Sequence, residues 1–191
     1  MQEAPTRDDT LPVSALVIMG PSGSGKSTLA RALSARLGWG MIEGDDHHPA
    51  SNRAKMNAGE PLTEADRRPF LESIGRTIAA ATGPVVVACS ALRRAHRELL
   101  QAFADGILFV WVDVEGDELK RRMERRRDHF MPPSLLADQI GTFDPPTPPE
   151  PFIRIDGNLP IAKQVAAIEQ HLGRCCRPTP DADGESKRRR H

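Results

Sequence analysis

The chain has 191 residues, the length of one domain with room for short unstructured ends. Its 26 Lys and Arg balance 26 Asp and Glu, and a net charge of zero argues against a protein built to coat nucleic acid or anionic lipid. Apolar residues make up 39% of the chain, with tyrosine absent and tryptophan limited to Trp39 and Trp111, so the core must rest on Leu, Val, Ile and Ala.

Residues 1–12 are polar and carry no apolar run of the kind a secretion signal needs, which predicts a disordered N-terminal segment on a cytoplasmic protein. Ala15–Met19 reads as a buried strand. A helix follows, with Leu29, Ala32, Leu33 and Leu37 on one face and Gly38 closing it, and Trp39–Glu43 is a second, short strand. Pro49–Asn57 and Glu64–Ala81 are helical, the second ended by Gly83 and Pro84. Val85–Cys89 is a strand, Ala91–Phe103 a helix, Ile107–Val112 a strand and Gly116–Arg127 a helix. The longest apolar runs, Ala15–Met19 and Val85–Cys89, fall far short of the ~18 residues of a membrane span. Pro132–Thr142 is a short helix, and Phe143–Phe152, with five prolines, an ordered extended connection. Phe152–Ile155 is the last strand and Ile161–Leu172 the last helix, before a polar, basic-ended tail at 173–191 that reads as disordered. Buried strands interleaved with helices predict an α/β fold, a parallel sheet sandwiched by helices, over residues 13–172. Three cysteines, two of them adjacent and none in a CxxC pair, give neither a disulfide framework nor a zinc site; Cys89 reads as a small core residue.

The strongest chemical signal stands between the first strand and the first helix. Gly20, Pro21, Ser22, Gly23, Ser24, Gly25, Lys26, Ser27 and Thr28 form a full GxxxxGKS loop with the residue after it, the pattern that cradles a nucleoside triphosphate. Glycines let backbone N–H groups close around phosphate oxygens, and the following helix adds its positive end. Lys26 is expected along the β- and γ-phosphates of ATP and the Ser27 hydroxyl on Mg²⁺.

Glu43-Gly44-Asp45-Asp46-His47-His48-Pro49 follows the second strand, at the carboxyl edge where a parallel sheet opens its ligand crevice. Residues alternate sides in an extended chain, so Glu43 and Asp45 are expected to point together while Gly44 and Asp46 point away. Asp45 is then the candidate to take a proton from an acceptor hydroxyl, with Glu43 holding a water bound to Mg²⁺. His48 is a candidate polar contact to the acceptor, whereas Asp46 reads as a helix cap or solvent-facing and His47 as solvent-facing. Asn52, Lys55 and Arg67 lie on the helices of the acceptor side, and their positive charge suits an anionic acceptor. After the third strand, where a carboxylate commonly ends a P-loop sheet strand, the chain has Cys89 and Ser90, with Arg93 or Arg97 in reach of substrate. Lys120–Arg127 holds six basic residues in eight without interleaved aromatics, so a nucleic-acid role is not favoured. The spacing of Arg122 and Arg126 beside the break at Asp128–Pro132 predicts a lid, about 122–142, that lays arginines on the transferring phosphate.

These pieces together resemble the gluconokinase family, the small P-loop carbohydrate kinases related to shikimate kinase and to nucleoside monophosphate kinases. The resemblance spans about Ala15 to Leu172. It rests on the phosphate loop, Gly44-Asp45-x-x-His48-Pro49, Asn52-x-x-Lys55-Met56-x-x-Gly59-x-Pro61-Leu62, Asp66-Arg67-x-Pro69, Cys89-Ser90-Ala91-Leu92 and His129-Phe130-Met131-Pro132-Pro133. It implies a nucleoside-monophosphate-kinase-like fold with a lid, and transfer of the ATP γ-phosphate to the 6-hydroxyl of D-gluconate by a Mg²⁺-dependent enzyme, often a homodimer. It places Asp45 as the base, Arg67 as an acceptor-site arginine, and Arg122 with Arg126 as lid arginines. Glu43 stands where the family commonly has Asp, Arg93 where it has Lys, and Gly141 where it has a carboxylate. Shikimate kinase or another small sugar-acid kinase is the nearest alternative activity. A non-catalytic nucleotide-binding module is the alternative of another class, although it has no need of an acceptor-side base.

Overall fold

The computed structural model describes residues 13–125 and 133–175. Its elements in order are β1 (Ala15–Met19), α1 (Lys26–Leu37), β2 (Gly40–Glu43), a 3-10 turn (Gly44–His47), α2 (Ala50–Asn57), α3 (Glu64–Ala79), β3 (Val85–Ala88), α4 (Arg94–Gln101), β4 (Ile107–Asp113), α5 (Gly116–Glu124), α6 (Pro133–Thr142), β5 (Phe152–Asp156) and α7 (Ile161–Cys175). The five strands form one parallel sheet in the order β2-β3-β1-β4-β5. β1 lies at its centre, which is why all five of its residues are apolar and fully buried.

Alternation along β1 divides the core into two layers. Val17 and Met19 face Phe70, Ile74 and Leu100 from α3 and α4, while Leu16 and Ile18 face Leu29 and Leu33 of α1 and Ile168 of α7. Burying each such Leu or Ile stabilises the fold by roughly 1.5–3 kcal/mol. Helices thus cover both faces of the sheet and leave the carboxyl ends of the strands open, where β1 hands the chain leftward to β2 and β3 hands it rightward to β4.

Three element boundaries differ by three residues from those read in the sequence, the others by no more than two. α4 starts at Arg94 rather than Ala91, because Ala91 adopts φ +40° and Arg93 is extended, so residues 90–93 form a loop. α5 ends at Glu124, three residues short of Arg127. α7 continues to Cys175, beyond the expected start of the tail at residue 173. The segments 1–12 and 176–191, expected to be disordered, lie outside the described residues.

The proline-rich connection before β5 is ordered, and one residue explains how. Arg97, expected within reach of substrate, is instead fully buried. It donates to both carboxylate oxygens of Glu150, at 2.5 and 3.0 Å, and to the carbonyls of Asp144 and Ala91 at 2.9 and 3.3 Å. One guanidinium therefore ties α4 to residues 144–150 and holds the carbonyl of the left-handed Ala91 in place. Among the described residues no helix is long and apolar enough to cross a membrane.

Candidate functional site

The phosphate loop turns out of β1 against β3: Gly20 donates to the Ser90 carbonyl at 3.2 Å. Gly25, at φ +98°, caps α1 in a left-handed conformation that an L side chain rarely adopts, and the helix begins at Lys26. The Lys26 ammonium donates back to the Pro21 carbonyl at 3.0 Å, across the mouth of the loop. Ser22, Gly23, Gly25, Lys26 and Ser27 line a cavity of about 490 Å³. Gly20, Pro21, Ser24 and Thr28, also expected on the nucleotide, do not line it: Pro21 and Ser24 are buried within the loop and Thr28 is exposed on α1.

The acidic step enters the same cavity by a different geometry from the one expected. Residues 44–47 form a 3-10 turn, so the alternation of an extended chain does not apply. Glu43 and Asp45 nevertheless both line the cavity. Gly44 makes this possible, since a Cβ there would stand 2.3 Å from the Ala88 carbonyl oxygen and push the turn off β3. Glu43 also faces Arg31 of α1 at 3.7 Å. Asp46 is exposed, as expected, while His47 meets the Ser73 hydroxyl at 2.9 Å.

Opposite the loop, α2 and α3 supply the acceptor side. His48 is 8% exposed, lines the cavity and stacks on Phe70 with ring centroids 3.8 Å apart. Burial pushes its pKa below the usual histidine value, against the pull of Asp45, so the ring is neutral at pH 7. Arg67 also lines the cavity at 7% exposure. Its nearest anionic partner is Asp138 at 3.8 Å, and its buried Nε has no hydrogen-bond partner among the described residues. Burial lowers the Arg67 pKa from its ordinary value, against the pull of Glu64 and Asp138.

Lys55 and Arg93, expected on the acceptor, do not line the cavity. The Lys55 ammonium grips both oxygens of Asp66 at 2.7 and 2.8 Å and ties α2 to α3. That contact, with help from Thr63, holds the Asp66 carboxyl down at about 2. Asp66 in turn completes the capping box of α3 with Thr63, so Lys55 serves the scaffold under the site. Arg93 is half exposed and pairs with Glu64 at 3.3 Å, at the mutual start of α3 and α4.

Of the two expected lid arginines the structure describes Arg122. Arg122 donates to Glu118 at 3.0 Å, to the Gly157 carbonyl at 3.0 Å and to Asn158 at 2.9 Å, which fastens α5 to the turn after β5 and leaves it off the cavity wall. Arg126, the other expected lid arginine, lies outside the described residues. α6 does reach the cavity. Asp138 faces Arg67, and the next residue, Gln139, accepts from the Ser22 backbone N–H at 2.8 Å. Two consecutive side chains thus link the acceptor side to the phosphate loop. The sequence reading assigned neither a role; their position two and three residues before Gly141, in a helix flanking the proline connection, was the available signal.

The end of β3 carries no carboxylate. Cys89 takes that place fully buried, and burial pushes its thiol up to about 12, far from a thiolate. Among the described residues no group of three or more His, Cys, Asp or Glu side chains gathers to hold a metal ion. Mg²⁺ keeps waters and phosphate oxygens as ligands and needs only one or two protein groups; Ser27 and Glu43 are among the wall residues with oxygens that could serve it.

A family model described as "AAA domain" matches residues 16–146. Gluconokinase from Gluconobacter oxydans is 46% identical over 146 residues, covering 74% of this chain and 82% of that protein. The crystal structure of a gluconokinase from Sinorhizobium meliloti superposes with a TM-score of 0.78 at 41% identity, over 85% of this chain and 93% of that one. Shikimate kinase from Acinetobacter baumannii, solved with shikimate, has a TM-score of 0.56 at 16% identity, covering 85% and 94% of the two chains, a likeness of fold alone.

Proposed function

This chain belongs to the gluconokinase family of P-loop kinases, and we propose that it transfers the γ-phosphate of ATP to the 6-hydroxyl of D-gluconate, giving 6-phospho-D-gluconate and ADP. It is a phosphotransferase with an alcohol acceptor. One observation carries the substrate reading: a single cavity holds a phosphate loop at one end and, at the other, a carboxylate beside a buried guanidinium short of counter-charge. An acceptor that fills it must bring a hydroxyl to Asp45 and an anion to Arg67. A sugar acid has both.

The roles follow from placement. The loop amides and Lys26 hold the triphosphate, and Lys26 spreads the charge that gathers on the transferring group. Asp45 orients the acceptor hydroxyl and takes its proton. Arg67 anchors the acceptor carboxylate, and His48 contacts its hydroxyls. Gln139 seats α6 on the loop so that water is kept from the transferring phosphoryl group. Ser27 would hold Mg²⁺ directly and Glu43 a water bound to it; when bound, the ion would supply neutralisation of the phosphate charge. Arg126 is kept as a lid arginine on the transferring phosphate. A soluble cytoplasmic homodimer completes the reading, with a small molecule as the acceptor and neither nucleic acid nor membrane as a partner.

ADP release from Mg-ATP, measured with gluconate, shikimate and other sugar acids at equal concentration, tests the proposal. Gluconate is expected to give the highest kcat/KM. A higher value for another acid overturns the substrate and keeps the kinase; no ADP release with any acceptor favours a binding module.

A further inference from the structure

Asn52 is 2% exposed on α2, buried beneath the acceptor side of the cavity. Its side-chain amide has only one possible orientation. The Asp66 backbone carbonyl lies 2.8 Å from the amide nitrogen, and since a carbonyl oxygen can only accept and the amide's only donor is its nitrogen, the nitrogen must face that way. The same nitrogen carries a second hydrogen, and 3.3 Å away stands Nδ1 of His48. Nδ1 can meet an N–H only with its lone pair. The proton of a neutral ring must then sit on Nε2. Among the described residues no hydrogen bond engages that Nε2, on a ring that lines the cavity and is pinned flat against Phe70 at an interplanar angle of 7°.

We propose that Asn52 is a positioning residue that locks His48 as its Nε2–H tautomer, so that this wall of the cavity presents an obligate hydrogen-bond donor selecting an acceptor oxygen, hydroxyl or carboxylate, on the phosphate-accepting molecule. The proposal deepens the sugar-acid reading above and rests on it for the identity of that molecule, while the tautomer itself stands on Asn52 and Asp66 alone. A neutral histidine is ordinarily ambivalent, donor or acceptor, and tolerates either kind of ligand atom. The lock removes the ambivalence. Beside Arg67, which can only donate, it sets a second fixed donor for the oxygens of a hydroxy acid, in a cavity whose carboxylates Asp45 and Asp138 can only accept. An acceptor lacking the oxygen that His48 meets would leave a buried donor unpaired, which is how a hydrogen-bonding site rejects a deoxy analogue.

Acid weakens the lock. Protonation puts a hydrogen on Nδ1, where it confronts the Asn52 N–H. The groups facing the ring are Asp45, which favours protonation, and Arg67, Arg53 and His47, which oppose it together with burial. The wild-type ring therefore stays neutral, and gluconate binding flat with pH, through the neutral range. Asn52→Asp reverses this, because a carboxylate accepts from Nδ1–H and draws the proton to that side.

Long-range ¹H–¹⁵N spectra of the full-length protein test the inference, with the His48 signals assigned by their loss in His48→Gln. The wild type is expected to show Nε2 protonated and Nδ1 bare, and a proton on Nδ1 at neutral pH would overturn the proposal whatever the protein phosphorylates. In kinetics, Asn52→Asp is expected to raise the gluconate KM at least tenfold and make it pH-dependent between pH 6 and 8, on the order of the shifts a partner carboxylate brings to histidine, with the ATP KM unmoved. His48→Gln, whose amide N–H reaches the place of Nε2–H, should bind gluconate several-fold better than His48→Leu, a difference a merely structural ring would not produce. An unchanged gluconate KM and pH profile in a folded Asn52→Asp protein, or equal losses in the two His48 variants, would overturn it. Should gluconate fail as a substrate of the wild type, the substrate reading falls and the spectra still decide the tautomer.

Discussion

Replacing Arg67 with Met is expected to damage acceptor binding while sparing the fold. In the free protein the guanidinium is 7% exposed, lies 3.8 Å from Asp138 and has an Nε without a hydrogen-bond partner among the described residues. A substrate carboxylate arriving there makes charge-assisted hydrogen bonds worth about 1.5–3 kcal/mol each. Taking about 3 kcal/mol for the whole anchor, because the free guanidinium already has part of its charge compensated, the gluconate KM should rise about 100-fold. The loss should fall on KM rather than kcat, since the carboxylate is bound equally in ground and transition states. Stability should move the other way. Asp138 is 36% exposed and stays hydrated when its partner is removed, whereas an under-paired buried charge gives way to an apolar chain of similar length. The melting temperature is therefore expected to hold or rise by a few degrees, at about 2–4 °C per kcal/mol for a protein of this size. Steady-state kinetics with gluconate and ATP varied in turn, beside a thermal melt, decide the matter. A melting temperature lowered by more than about 6 °C, with the gluconate KM of the survivor unchanged, would show that Arg67 is a structural strut and refute its role as anchor.

Asp45→Asn keeps the shape of the side chain and removes its basicity, so kcat should fall about 100-fold or more while ATP affinity by calorimetry stays near wild type; lost Mg-ATP binding would move Asp45 to the metal. Arg97→Met strands the nearly buried Glu150 carboxylate and should cost about 3–5 kcal/mol in urea unfolding, and a loss below about 1 kcal/mol would contradict the strut. The Arg97 hydrogen bond holds the Glu150 pKa below its ordinary value, so the ion pair's contribution is present above the unfolded carboxyl's pKa of about 4.3 and disappears as pH falls through the lower folded value. Acid unfolding should accordingly be less steep in an Arg97→Met, Glu150→Gln double variant than in the wild type. Arg126→Ala should lower kcat about 1,000-fold if that side chain meets the transferring phosphate, whereas Arg121→Ala, exposed and paired with Glu118, should change little; equal effects would reduce the lid to a general basic patch.

The α/β fold and its phosphate loop were legible because their signals are local. GxxxxGKS sets its own backbone, and the continuous apolar run of β1 can only be a central strand. Asp45 reached the cavity, but by a 3-10 turn resting on the missing Cβ of Gly44, a close approach that only the pairing of β2 with β3 creates. The cations were the illegible part. Lys55, Arg67, Arg93, Arg97 and Arg122 look alike in a sequence, and each could serve an anionic substrate. Which one does so depends on where the carboxylates lie. Asp66, Glu64, Glu150 and Glu118 claim Lys55, Arg93, Arg97 and Arg122, leaving Arg67 with the weaker partner at 3.8 Å. Glu150 stands 53 positions from Arg97 and Asp66 11 from Lys55, so these pairings are products of topology that no spacing rule reveals.

The phosphorus spectrum of the product formed from Mg-ATP and D-gluconate tests the central claim most directly. Transfer to the 6-hydroxyl attaches phosphorus to a CH₂–O group, and the account predicts a new phosphomonoester signal split into a triplet by the protons of that carbon, growing in step with ADP. A doublet, the pattern of phosphate on a secondary hydroxyl, or a phosphoester formed from shikimate under conditions where gluconate yields none, would contradict it.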